Sequence, residues 1–290
     1  DANTTASNNT AVGYDSLGTN TTGADNVAIG ANALDANTTG ASNTAVGKDA
    51  LTANTTGPHN VAVGMGALQA NTTAEYNVAV GRNALAVNTT GIRNVGIGYQ
   101  ALTNNTTADL NIAYGFQSLY LNTTGGSNTA IGSETLHQNT TGSNNVALGL
   151  RALDANTTAS NNIAIGVHAM TSNTTGAGNT AVGKYAMENS TTSTGNVAVG
   201  YQSLQAQTTG SDNIAIGYDA GKSLTTGANN TFIGGGCGDA ITTGDGNTAV
   251  GSDSLSVATT ADNNTAFGQR ALYVNTTGSE NTSVGKASLD

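Results

Sequence analysis

Gly13, Gly30, Gly47 and Gly64 stand 17 residues apart, and the series runs unbroken to Gly285. A chain of 17 copies without one insertion or deletion has few folds open to it. A period of 17 is too short for a helix–turn–helix repeat and fits one coil of a parallel β-solenoid. The unit reads Asn-(Thr/Val/Ile)-Ala-(Val/Ile)-Gly-x-x-(Ala/Ser)-Leu-x-x-Asn-Thr-Thr-(Gly/Ala)-x-x, and its positions are labelled a to q. Position a is Asn in every copy, e is the anchor Gly, and m–n is always Thr-Thr, from Thr4-Thr5 to Thr276-Thr277. Positions f, g, j, p and q vary freely. Segment a–e is rich in β-branched residues and closes on Gly, which predicts a short strand and a turn. No 3.6-residue period persists, so helix is not expected. With no linker and no shift in composition, residues 1–290 read as one repeat domain. Stacked at the strand spacing, the coils would extend for about 80 Å.

Alternation along the strand puts b and d on one face and c on the other. A local irregularity says which face is inside. Position i is Leu or Met in 15 of 17 copies, and the exceptions are Gly221 and Gly238. In the same place c, normally Ala, becomes Phe232, and l, normally Asn, becomes Leu224 and Ile241. Volume compensation within one close-packed core accounts for all of these changes. Positions c and i then share the interior, and b and d point outward. Their Val/Ile row would be a long apolar stripe, which a monomer rarely exposes. A strand apolar on both faces is normally buried on both. Ile29, Val46, Val63, Val80, Ile97, Ile131, Ile165, Val182, Val199 and Ile216 are therefore candidates for an oligomer interface, which a parallel cyclic assembly would bury.

The core must be thin. Only 9% of residues are charged and 4% aromatic, with no Trp, one Pro and 39 Gly. Disorder would bring high charge and no spacing rule. The net charge of −10 rests on eight Lys and Arg, too few for a phosphate-binding track, so nucleic acid is not an expected partner. No stretch approaches the apolar length of a membrane span. The single Cys allows no internal disulfide framework. The chain opens in mid-repeat at Asp1, as a segment of a longer fibre would.

The motif Asn26-Val27-Ala28-Ile29-Gly30, followed after two intervening residues by Ala33, resembles the head repeat of YadA-like trimeric autotransporter adhesins. Asn-Thr-Ala-Ile-Gly repeats are also similar to those of phage and bacterial trimeric fibres. The resemblance covers every coil. It implies a left-handed parallel β-roll, a parallel homotrimer with the motif's Val and Ile packed between chains, and surface adhesion. The repeat here is longer than the family's, with the extra residues around Asn-Thr-Thr-Gly.

Little in the chain reads as chemistry. Gly96-Ile97-Gly98 mimics a dinucleotide fingerprint but lacks the surrounding strand–helix unit. His59, His137 and His168 lie in distant coils and are expected on the surface. Cys237 takes the small position h with no His in its own or adjacent coils, which predicts a buried thiol rather than a nucleophile. Carboxylates recur at g in Asp15, Asp49, Glu134, Asp219 and Asp253, two or more coils apart. No catalytic, metal or cofactor site is predicted. Tyr201 and Tyr218 share position f in adjacent coils, as a cross-coil ladder or a platform for sugar rings. Asn-Thr-Thr is formally a glycan acceptor, for example at Asn20, Asn37, Asn54 and Asn71, although a turn Asn explains the same residues.

The expected function is a structural and adhesive extracellular or cell-surface fibre segment, or part of a phage fibre. It would partner itself, as a trimer or an end-to-end polymer, and present variable edge residues to a host surface or carbohydrate. The alternatives are an ice-binding solenoid using the Thr rows and a polysaccharide-degrading solenoid. The latter would need a distinct coil with clustered carboxylates, whereas the only distinct coils, 213–246, look like core repair.

Overall fold

A computed structural model describes residues 3–290. Strands are the only regular elements among them, one three-residue strand per coil at positions b, c and d. The chain divides into two compact units, Asp1–Asn144 and Asn145–Asp290. The first holds eight strands, from β1 (Thr10–Val12) to β8 (Thr129–Ile131), and the second nine, from β9 (Val146–Leu148) to β17 (Thr282–Val284). Within each unit every strand pairs in parallel with the next at a shift of one repeat, as in Val27↔Thr44, Ala28↔Ala45 and Ile29↔Val46. The fold is an all-β parallel solenoid.

Hydrogen bonding between coils extends past the strands. Asn32 N donates to Tyr14 O, Leu34 N to Ala50 O and Thr38 N to Thr55 O, at 2.9, 3.0 and 2.9 Å. Most of each turn is thus tied to its neighbours, which is how three-residue strands suffice.

The anchor Gly has two reasons to lack a side chain. Gly30 has φ of +134°, and a Cβ there would lie 2.6 Å from the Gly47 carbonyl carbon. Positions g, i and q also take left-handed backbone, as at Asn32 (φ 57°), Leu34 (φ 52°) and Ser42 (φ 59°).

The interior is the one the repeat pattern predicts. The c alanines from Ala28 to Ala130 and the i leucines from Leu34 to Leu136 are fully buried. In the second unit Phe232, in β14 (Thr231–Ile233), is fully buried with Leu224 and Ile241. Its ring fills the room two leucines would take: a Cβ on Gly221 would lie 2.8 Å from Phe232 Cδ2, and one on Gly238 2.6 Å from Cε1.

Candidate functional site: the exposed strand face and the side-chain ladders

Because c points inward, b and d point out. Ile29, Ile131 and Ile216 are exposed, while Val46, Val63, Val80, Ile97, Ile165, Val182 and Val199 are half-buried by their neighbours in the row. In the first unit Ile29, Val46, Val63, Val80 and Ile97 are consecutive register partners. In the second, Ile165, Val182, Val199 and Ile216 are. Each unit therefore carries a continuous apolar row at strand spacing, flanked by the b row. The row has larger members that a search for Val and Ile passes over. Tyr114 and Phe267 occupy d at 56% and 57% exposure, and Leu148 is exposed beside them in type. Their position in the repeat was the available signal.

The asparagines are structural and lie inside. Asn43 N donates to Asn26 Oδ1 and Asn43 Nδ2 to Gly57 O, both at 2.9 Å, and this a-position ladder recurs along the coils. At l, Asn37 Nδ2 donates to Asn20 Oδ1 at 2.8 Å and to Gly40 O at 2.9 Å. Gly40 O also accepts from Asn26 Nδ2, so one carbonyl ties both ladders together. This geometry bears on the formal glycan acceptors. Asn20, Asn37, Asn54 and Asn71 are fully buried. Both amide hydrogens of Asn37, Asn54 and Asn71 are donated within the fold, and Asn20 does the same through Asn3 and Gly23. A glycan has no access to those nitrogens in the folded coil.

Of the two threonines, the one at m is half-buried with its hydroxyl donated to the next coil, as in Thr38 Oγ1 to Thr55 O at 3.0 Å. The one at n is exposed.

The groups that could carry chemistry are dispersed. His59 stacks on Tyr76, His137 on Tyr120 and His168 on Tyr185, each on a different part of the coil. Among the described residues no group of three or more His, Cys, Asp or Glu could hold a metal ion. Cys237 is buried, and its thiol lies 3.0 Å from Ala249 O. Burial pushes that thiol up to about 11, which keeps it protonated at neutral pH. Among the described residues no helix is long and apolar enough to cross a membrane.

The f edge carries aromatic ladders. Tyr99 stacks on Phe116 at 5.5 Å, and Tyr201 on Tyr218 at 5.2 Å, so these faces cover each other. Fold and surface together define a β-solenoid repeat protein. No protein-family model matches the chain, and no curated protein matches it.

Proposed function

We propose that the chain is a structural and adhesive segment of an extracellular fibre that assembles with copies of itself through the b/d face, as a parallel homotrimer like the adhesin heads its motif resembles. The observation that carries this reading is the apolar row outside a core that is already full. The interior is filled by Ala at c and h, Leu at i and Asn at a and l, so core packing gives no reason for Val and Ile at d. A flat row with rungs at strand spacing is matched best by an identical row, because only a surface of equal period meets it at every rung. The variable f, g, j, p and q residues stay outside that face and are left to meet other partners.

The test is mass in solution. Mass photometry and analytical ultracentrifugation should find about three times the chain's 28.6 kDa at micromolar concentration. Replacing Val63 and Val80 by Lys should dissociate the assembly without unfolding the coils, since a charge buried unpaired in an interface costs several kcal/mol. A monomer at every concentration overturns the proposal.

Ice binding has one observation in its favour, the exposed n threonines from Thr22 to Thr141 in one unit and from Thr158 to Thr277 in the other. Within each unit they form a single row, since the hydroxyls at m are committed to the backbone. Thermal hysteresis that disappears on Thr56→Val with Thr73→Val would favour this reading. The fibre reading expects none.

A further inference from the structure

One coil interrupts the outer edge. Residues f and g are both glycine only at Gly235-Gly236. Two side-chain ladders lose a rung there together. At f, the ring of Tyr218 stacks on Tyr201 on one side, and Gly235 offers no side chain to cover the other. A Cβ on Gly235 would meet nothing within 4 Å except the Tyr218 carbonyl oxygen at 3.9 Å. Tyr218 is 62% exposed, against 37% for Tyr201.

At g, Asp253 of the following coil leans back toward the gap, with its Oδ1 2.8 Å from where a Gly236 Cβ would be. Where Asn stands at this position ahead of a carboxylate, it donates its amide to that carboxylate in the next coil. Asn32 Nδ2 donates to Asp49 Oδ1 at 2.8 Å across the same step of the ladder. Asp253 Oδ2 accepts from Ser252 at 3.2 Å, and Gly236 has no amide to give to Oδ1. The nearby cation Lys222 is turned to Asp219 at 3.5 Å. Arg270, one coil further on, is turned to Asp290 and to the ring of Tyr273.

From these two missing rungs we propose that the notch at Gly235–Gly236 is a binding site for the guanidinium group of a partner's arginine. The missing rung at f calls for a flat group stacked on Tyr218. The missing rung at g calls for an N–H donor to Asp253. Guanidinium is planar, stacks on aromatic faces, carries five N–H donors and accepts nothing. The notch's side chains offer an aromatic face and carboxylate acceptors, and its surplus charge is negative. A sugar would stack as well, but it carries no positive charge to balance Asp253, and the Ser252 hydroxyl proton is already given to Asp253. A lysine ammonium lacks the flat face that fills the rung.

The probe is N-acetyl-arginine amide, titrated into the full chain and followed by NMR at the Gly235 and Gly236 amides and the Tyr218 ring. One stacked cation with one charge-assisted hydrogen bond should saturate with a Kd of about 1 mM. Gly236→Asn supplies the missing amide in a backbone conformation Asn83 already adopts (φ 56° against 62°), so it fills the site once the Asp253 carboxylate swings off the new Cβ. It should weaken binding about 10-fold or more, and Asp253→Asn should do likewise. N-acetyl-lysine amide should bind more weakly than the arginine probe. The proposal is overturned if no saturable shift appears, if Gly236→Asn leaves the Kd unchanged, or if methyl glucoside binds at least as well. None of these outcomes depends on whether the chain self-associates.

Discussion

Leu34 and its equivalents hold a contradiction that the fold resolves. A left-handed φ costs a branched L-residue roughly 1–2 kcal/mol, yet leucine occupies that conformation at i in coil after coil. Full burial of the side chain returns about 1.5–3 kcal/mol, which offsets the strain. Gly221 and Gly238 are the other solution: glycine adopts the φ freely, and Phe232 supplies the lost volume from the neighbouring strand. Restoring the consensus at one site should therefore do harm. Gly221→Leu places a Cβ 2.8 Å from Phe232 Cδ2 and reinstates the strain, and the sum should be about 2–4 kcal/mol of destabilisation in urea unfolding. Adding Gly238→Leu and Phe232→Ala should recover most of it. A consensus substitution that proved stabilising on its own would contradict this account of the core. Cys237, in the same coil, should resist iodoacetamide at pH 8 until the chain unfolds, because its folded thiol titrates near 11. The sign follows from burial: the folded state disfavours the thiolate, so stability falls as pH rises from the free thiol's range toward 11.

Ladders are the elements that define the repeat, and their breaks show what they contribute. The l ladder in the second unit runs Asn156 and Asn173 and then meets Ser190, whose hydroxyl turns to Ser193 instead. Asn173 Oδ1 is left buried without a partner. Gln207 Oε1 is left the same way, because the next residue in the column is Leu224. An unmet buried acceptor costs about 1–3 kcal/mol. Ser190→Asn with Ser193→Gly rebuilds the rung and should raise stability by about that amount, seen as a higher urea midpoint at unchanged slope. A null result would mean that water reaches Asn173. Much of this level was legible in the sequence: the strand, the Gly turn and the inward c and i positions followed from period and volume. At l, Asn-Thr-Thr is formally a glycan acceptor when read locally, but Leu224 and Ile241 in the same column already imply an inward-facing position. The left-handed conformation of the leucines is marked in the sequence only by Gly221 and Gly238, which take the same φ at i.

For the molecule as a whole, the proposed assembly raises the question of how the b/d face would choose a partner and a register. A row of Val and Ile alone would match a second row at any shift of one coil, since every rung looks alike. Tyr114 breaks that degeneracy in the first unit, standing between Ile97 and Ile131 in the row. Phe267 does so in the second, between Val250 and Val284. In a parallel assembly aligned coil to coil, Tyr114 meets its own copies and every smaller rung closes. A slip of one coil sets the ring against aliphatic rungs on both sides and holds the rows apart. Overpacking of that kind costs roughly 1–3 kcal/mol for each misplaced ring, enough to select one register. Disulfide trapping reads this out. Chains carrying Val80→Cys should cross-link to one another through the aligned rung. A mixture with chains carrying Ile97→Cys should give little of the hetero-disulfide that a one-coil slip would produce. Tyr114→Val with Phe267→Val should leave the assembled mass unchanged and raise the slipped product several-fold. If slipped and aligned products are equally abundant before any aromatic is removed, the aromatic rungs do not set the register.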